Sequence, residues 1–396
     1  MPPPDVSSLI SKARRGGVLD ADEAARLAEA PPEAGDDLLE AASHLRDRGH
    51  GRVLSYAKNI FIPLTNLCRD VCGYCTFAKQ PDDPAAKTYT PDEVRAASRE
   101  GRRMGCREAL FCLGDKPELV YGGYRKRLRD LGHETTASYL TEACAIALEE
   151  GIFPHTNAGI LTRDEMARLR PLNHSMGLML ESASARLMEP GMPHHACPDK
   201  VPRLRLRMMA EAGELRIPFT TGILIGIGET PRERAESLLA IRALREKHGH
   251  IQEVIIQNFL PKAGTGMAAR AEAGDALEVR TVALARLVLG ADCHIQAPPN
   301  LNPRALARLI AAGVDDWGGV SPATVDFVNP EAPWPALARL AALTAGAGYT
   351  LRERLAVYPE YLLERREFID PDLLERTLPC LDADGFARPA DGPPGR

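Results

Sequence analysis

The sequence lacks the features that would place the protein in a membrane or on a nucleic acid. Its apolar runs all fall short of the roughly 18–20 residues that a spanning helix needs, and its first residues show no basic and apolar leader pattern. Lysine and arginine are scattered rather than clustered, and the formal net charge is −5. We therefore expect a cytoplasmic globular protein with no nucleic-acid or membrane partner.

A disulfide framework and a paired-cysteine zinc site are also poorly supported. The nine cysteines are odd in number and three of them are clustered, which favours a reducing compartment over a disulfide framework. Zinc sites usually combine two C-x2-C units, and here Cys72 and Cys75 form one such unit with no second. Zinc binding and ordinary core packing remain as weaker alternatives for these residues.

What the chain does contain is a C-x3-C-x2-C motif formed by Cys68, Cys72 and Cys75. A cubane iron–sulfur cluster normally takes four thiolates, one for each iron. Three thiolates on a short loop would bind three irons and leave the fourth open to a small molecule. The motif therefore predicts a reactive [4Fe-4S] cluster.

Short apolar runs alternate with longer amphipathic stretches along most of the chain. Eight runs are predicted as strands: 59–64, 109–113, 153–157, 175–180, 219–225, 254–258, 293–297 and 318–321. Buried parallel strands separated by helices predict a (β/α)8 TIM-type barrel, with a partial barrel of six units as the alternative. The predicted organisation is a helical extension (1–52), the barrel (53–361) and a partly flexible carboxyl-terminal extension (362–396).

Two motifs together resemble the radical S-adenosylmethionine (SAM) superfamily. The cysteine motif includes an aromatic residue, Tyr74, before its last cysteine, and residues 222–229 resemble the G-x-I-x-G-x-x-E signature, with Leu224 at the isoleucine position. The resemblance implies that the open iron chelates SAM. It also implies a set of cofactor-binding residues after strands one, two, four and five: Tyr74, Gly114, Asp115, Glu118, Glu181, Ser182, Gly222, Gly226 and Glu229.

A closer resemblance extends over about residues 53 to 361. These residues resemble the CofG-type subunit of FO synthase. The segments that carry the resemblance are 59–68, 113–118, 154–159, 218–222, 255–259, 296–301 and 315–322. FO is 7,8-didemethyl-8-hydroxy-5-deazariboflavin, the chromophore of coenzyme F-420. One departure is visible, since Ala196 and Cys197 stand where a glycine and a small residue are expected.

The family resemblance implies an ammonia-releasing lyase that works after a sister CofH-type radical SAM subunit. The sister would supply 5-amino-5-(4-hydroxybenzyl)-6-ribitylimino-dihydrouracil, which this chain would cyclise to FO. An electron donor such as ferredoxin or flavodoxin would be a further partner. The alternatives are another ring-forming radical SAM enzyme, such as a menaquinone-pathway cyclase or a biotin synthase relative, or a non-catalytic iron–sulfur or zinc protein.

Polar residues near strand ends are the candidates for contact with the substrate. Amide and carboxylate groups suited to a pyrimidinedione or a ribityl chain are Asn157, Gln257, Asn258, Asn300 and Asp316. Histidine titrates near neutral pH, so the candidates for proton transfer are His155, His194 and His195. For each histidine, a purely structural hydrogen bond is an equally weighted alternative.

Overall fold

Eight parallel strands close into a barrel in the computed structural model, which describes residues 5–389. The strands are β1 (Val53–Ile62), β2 (Glu108–Cys112), β3 (Phe153–Asn157), β4 (Ser175–Gly177), β5 (Phe219–Ile225), β6 (Ile251–Asn258), β7 (His294–Gln296) and β8 (Asp316–Val320). Each strand pairs with the next, and β1 pairs with both β2 and β8. The predicted eightfold barrel is confirmed, and the six-unit alternative is wrong.

A ninth strand, β9 (Thr350–Arg354), was not predicted from the sequence. It pairs in parallel with the first half of β1, from Val53 to Ala57, whereas the second half of β1 pairs with β2. Its last three residues, 352–354, are charged, so the apolar pattern that marks the other strands is missing. Pairing with β1 therefore decides this strand, rather than its own hydrophobicity.

Fourteen α-helices lie within residues 5–389. They are α1 (Val6–Arg14), α2 (Ala21–Ala28), α3 (Gly35–His50), α4 (Pro91–Arg103), α5 (Gly122–Asp130), α6 (Thr136–Glu149), α7 (Arg163–Leu169), α8 (Pro202–Glu214), α9 (Pro231–His248), α10 (Asp275–Leu289), α11 (Leu306–Ala311), α12 (Leu337–Gly346), α13 (Pro359–Leu363) and α14 (Pro371–Thr377). Capping boxes explain several of their starts; at α9, Thr230 and Glu233 bond each other's backbone N–H groups. None of the helices in this part of the chain has both the length and the apolar character to cross a membrane.

The amino-terminal helices pack onto the barrel rather than forming a separate core. Leu9 of α1 and Leu38 of α3 belong to the same buried apolar cluster as Ile62 of β1 and Val282 of α10. This shared apolar cluster attaches the three helices that precede the first strand to the barrel.

The segment that follows β9 covers the amino-terminal end of the barrel. Its residues from Leu355 to Ala387 form a second apolar cluster, which includes Phe153 at the start of β3. The carbonyl oxygen of Ala356 accepts hydrogen bonds from Ser175 and Gln252, near the starts of β4 and β6. Of the extension predicted to be partly flexible, residues 390–396 lie outside the described part.

Candidate active site

The three motif cysteines meet at one cavity at the carboxyl-terminal end of the barrel. Cys68, Cys72 and Cys75 lie on the loop that follows β1, and all three line a cavity of about 230 Å³. All three are free thiols rather than disulfide partners. The loops after the carboxyl ends of barrel strands form the active site in this type of fold.

The surroundings of Cys68 fit a metal-bound thiolate. Its Sγ accepts hydrogen bonds from the backbone N–H groups of Asp70 (3.3 Å) and Asp115 (3.2 Å), which stabilise negative charge on sulfur. Burial raises the pKa of the Cys68 thiol to about 12, so the thiolate requires a metal or another strong positive charge. Three such sulfur donors around one cavity fit a cluster with three protein ligands.

Gly114 allows the loop after β2 to approach this thiolate. A Cβ atom at Gly114 would lie 2.5 Å from the Cβ of Cys68 and 2.9 Å from its Sγ. Any larger residue would displace the cysteine. The predicted cofactor position of Gly114 therefore has a steric basis in the structure.

Two ion pairs form a charged wall on another side of the cavity. Lys200 Nζ lies 2.8 Å from Glu181 Oε1, and Arg205 Nη1 lies 3.2 Å from Asp199 Oδ2. Burial alone would raise the pKa of Glu181, but Lys200 and Arg205 lower it below its usual value, so its carboxylate stays ionised. Glu181 also has a φ of 62°, a strained conformation that is typical of functional positions.

Only Glu181 of this wall was predicted from the sequence. Lys200 and Arg205 were missed because single cations before or within a helix resemble ordinary surface residues. Their positions offered one signal, since both lie in the connection that follows β4, where a barrel places active-site residues.

The glycine-rich loop after β5 is held in one conformation by hydrogen bonds to Glu229. The carboxylate of Glu229 accepts hydrogen bonds from the backbone N–H groups of Gly226 (3.0 Å), Ile227 (3.0 Å) and Gly228 (3.1 Å). Gly226 has a φ of 89°, and a Cβ there would lie 2.7 Å from the Cβ of Ala273. The loop itself does not line the cavity, whereas Leu224 of β5 does.

Of the five remaining cofactor candidates, two line the cavity and three lie outside it. Tyr74 and Asp115 line the cavity, and Asp115 accepts a hydrogen bond from the backbone N–H of Ile160 (2.8 Å). Glu118 lies elsewhere and accepts bonds from Thr136 at the start of α6. Ser182 also lies outside the cavity, and its Oγ accepts a hydrogen bond from the backbone N–H of Ser184 (3.1 Å). The third is Gly222, where a Cβ would lie 2.2 Å from the carbonyl oxygen of Ile255.

A second cavity of about 180 Å³ continues into the barrel interior. It shares Cys112, Asn157 and Gln257 with the first cavity and extends to Glu108, the first residue of β2. We call it the chamber. Cys112 lies at this junction and lines both cavities.

Three of the five substrate candidates lie at these cavities. Asn157 and Gln257 stand at the junction, and Asn258 lines the cysteine cavity. Asn300 lines neither and donates a hydrogen bond to Asp326 (2.9 Å). Asp316 is fully buried and accepts a bond from Arg354 Nε (2.7 Å), so it lies in an ion pair that the unpredicted strand β9 supplies.

The three candidate histidines have different surroundings. His155 lines the chamber with Nδ1 2.6 Å from Ser175 Oγ, and burial lowers its pKa to about 3. His194 Nε2 lies 3.1 Å from the hydroxyl of Tyr74, and burial lowers its pKa to about 4. His195 is exposed and lines neither cavity. The structure therefore brings only His155 to a cavity wall, as a neutral imidazole.

The loop that departs from the family pattern contacts the cysteine motif. Ala196 has a φ of 59°, a left-handed conformation that favours the glycine expected there. Its neighbour Cys197 is buried, and its thiol lies beside that of Cys72. The departure thus brings a fourth cysteine close to the predicted cluster.

Comparison with known proteins places this site in a family. The chain is 46% identical over 337 residues to the 7,8-didemethyl-8-hydroxy-5-deazariboflavin synthase of Methanopyrus kandleri, a match that covers 85% of this chain and 100% of that protein. The chain belongs to this synthase family. The Radical SAM superfamily model also matches residues 62–241, and membership of that superfamily implies a [4Fe-4S] cluster and SAM.

Longer relatives match as well. FO synthase of Mycobacterium tuberculosis is 47% identical over 398 residues, which cover 96% of this chain and 46% of that protein. The chain thus spans about half the length of these curated relatives.

Solved structures share the fold. The FeFe-hydrogenase maturase HydG from Carboxydothermus hydrogenoformans superposes with a TM-score of 0.73 at 20% identity, covering 94% of this chain and 87% of that one. Methylornithine synthase (PylB) gives a TM-score of 0.67 at 17% identity, covering 87% of this chain and 97% of that one.

Proposed function

We propose that this protein is the radical SAM enzyme that closes the central ring of 7,8-didemethyl-8-hydroxy-5-deazariboflavin with release of ammonia. The observation that carries the proposal is the meeting of Cys68, Cys72 and Cys75 at one cavity that opens into the polar barrel interior. The full-length match to a synthase of that name supports it.

In this proposal Cys68, Cys72 and Cys75 would hold the cluster. Together with SAM, the cluster would supply the radical chemistry that removes a hydrogen atom from the substrate. The protein contributes the backbone N–H groups that hydrogen-bond Cys68 and the close approach at Gly114. These groups position the sulfur of Cys68 in the absence of any cofactor.

The charged wall would bind SAM. The partly buried Lys200 and the buried Arg205 are cations at the cavity, and they would balance the carboxylate of SAM. The ionised Glu181 is an acceptor suited to the ribose hydroxyls. Enclosing walls would also keep water away from the reactive radical.

The substrate would bind where the two cavities meet. Asn157 and Gln257 present amide groups there, and amides complement the alternating N–H and C=O groups of a pyrimidinedione. Within the described residues, Asn258 Oδ1 is buried without a hydrogen-bond partner. A substrate N–H would satisfy it.

The substrate and reductant would come from partner proteins. A sister radical SAM activity would make the adduct that this chain cyclises, since this chain carries a single cysteine motif of the C-x3-C-x2-C type. A ferredoxin or flavodoxin would supply the electron.

An anaerobic assay tests this function. With the sister enzyme's adduct, SAM and a strong reductant, the protein should form a fluorescent deazaflavin together with deoxyadenosine, methionine and ammonia. With tyrosine and ribitylaminouracil alone it should form none. Absence of deazaflavin from the adduct, or its formation from the two simple precursors, would contradict the proposal.

A further inference from the structure

The chamber has polar side chains where a (β/α)8 barrel is usually filled with branched apolar ones. Its wall includes Asn59 of β1, Glu108 of β2 and Gln296 of β7, together with Trp334 from a loop after β8. Such groups are costly to bury unless they find hydrogen-bond partners. The chamber is therefore suited to a polar ligand.

Two of these residues have buried polar atoms that are unpaired within residues 5–389. Asn59 Oδ1 is an acceptor and Trp334 Nε1 is a donor, and neither has a hydrogen-bond partner. A native protein rarely leaves such atoms unsatisfied. A hydroxyl group can both donate and accept, so one type of ligand group could satisfy both.

Glycines in β8 make room for the amide side chains. A Cβ at Gly319 would lie 2.0 Å from Asn59 Nδ2, and a Cβ at Gly318 would lie 1.9 Å from Gln296 Nε2. The amides can therefore occupy these positions only because β8 carries glycine at both places. The arrangement holds Asn59 and Gln296 against the chamber.

We propose that the chamber binds the ribityl chain of the substrate and product, with Asn59 and Trp334 as hydrogen-bonding residues. This inference rests on the proposed function, which supplies a ligand with a polyhydroxylated chain. The heterocycle then stays at Asn157 and Gln257, where the chamber joins the cysteine cavity. The phenol ring has a single hydroxyl and matches the chamber walls less well.

Binding of the fluorescent product tests the chamber without requiring turnover. The probes are FO and its analogue in which a methyl group replaces the ribityl chain, each titrated into the full-length protein with its reconstituted cluster. Asn59→Leu removes the amide at nearly constant volume. Its matched control is Asn302→Leu, because Asn302 is also buried with an unpaired Oδ1 but lines neither cavity.

Wild-type protein should bind FO more tightly than the methyl analogue. Asn59→Leu should weaken FO binding about tenfold, or about 1.4 kcal/mol, and leave the affinity for the analogue unchanged. Asn302→Leu should change neither affinity. Trp334→Phe removes the N–H donor and keeps an aromatic ring. It should also weaken the binding of FO alone, by a smaller factor than Asn59→Leu.

Two results would overturn the inference alone. One is equal affinity of the wild-type protein for both probes, and the other is an Asn59→Leu variant that weakens both probes equally. Failure of the wild-type protein to bind either probe would contradict the proposed function itself and the inference with it.

Discussion

The two ends of the barrel use charged and titratable side chains differently. At the carboxyl end, thiols, ion pairs and amides face a cavity that continues into the chamber of the barrel interior. At the amino end, Asp315 accepts hydrogen bonds from both Arg286 Nη2 (2.5 Å) and His294 Nδ1 (2.5 Å), and Glu360 Oε1 lies 3.4 Å from His294 Nε2. The first arrangement presents groups to a ligand, whereas the second joins the groups to one another.

Histidine shows the contrast most directly. Burial lowers the pKa of His155, inside the chamber, to about 3 and that of His194, at the carboxyl end, to about 4. Burial by itself would also lower the pKa of His294, but Glu360 and Asp315 raise it to about 9. The difference shows that paired carboxylates, rather than burial, decide which histidine is charged at neutral pH.

The largest expected effect is at the cysteine motif. Replacing Cys68 by Ala should abolish cluster retention and SAM cleavage, since the remaining two thiolates cannot hold the cluster in place. Iron content, the anaerobic absorption spectrum and deoxyadenosine formation measure this outcome.

Two other cysteines are the controls for this change. Cys380→Ala, far along the chain in the amino-end covering, should retain full iron. Cys197→Ala should retain it as well, although Cys197 lies beside Cys72. Loss of iron in Cys197→Ala would mean that the cluster takes a fourth cysteine ligand and that the three-thiolate assignment is wrong.

At the amino end, the expected effect is on stability rather than chemistry. His294→Leu should lower the free energy of unfolding by about 3 kcal/mol at pH 6.5, because it leaves Glu360 and Asp315 without their shared cation. SAM cleavage per folded molecule should be unchanged. Urea unfolding measures the loss, and His44→Leu, on the exposed face of α3, should have little effect.

The stability difference between wild type and His294→Leu should depend on pH. The pKa of His294 is raised from 6.5 to about 9 on folding, so its stabilisation is full below pH 6.5 and is lost as the pH rises through 9. The difference should shrink by about 3 kcal/mol, at about 1.4 kcal/mol per pKa unit. A difference that stays constant from pH 6.5 to 10 would show that His294 acts through packing.

The smallest effect is expected at the charged wall of the cysteine cavity. Lys200→Met should raise the KM for SAM about tenfold, or about 1.4 kcal/mol, because it removes a cation that would face the SAM carboxylate. Lys200→Arg should restore part of the affinity. The matched control is Arg163→Met, which breaks an exposed ion pair with Glu214. An equal rise in the KM for SAM in this variant would show that Lys200 has no specific role in SAM binding.

The strand pattern and the cysteine spacing were predictable from sequence because both are local. Apolar runs bounded by helices predicted eight strands, and the spacing of Cys68, Cys72 and Cys75 predicted their convergence at one cavity. The positions of Gly114, Asn157 and Gln257 at or just after strand ends are those that the rule for barrel active sites predicts.

Four other candidate residues lie away from the cavities, and three of them bind partners that are distant in sequence. Asp316 was expected at the substrate, but Arg354 of the unpredicted β9 binds it. Asn300 instead binds Asp326. Glu118 accepts a hydrogen bond from the backbone of α6. Glu229 differs, since it accepts hydrogen bonds from the neighbouring backbone of the β5 loop. A sequence shows that a residue is polar, but not which of many distant groups will satisfy it.

The sequence by itself determined the barrel, the cysteine motif and the order of the loops around it, because periodicity and short spacings act within a few residues. Only the tertiary structure decided which charges are paired. It joined Lys200 to Glu181, gave His294 two carboxylate partners that His155 lacks, and left Asn59 Oδ1 in the chamber without a hydrogen-bond partner among residues 5–389. These outcomes depend on burial and on distances between remote segments, which the folded chain alone sets.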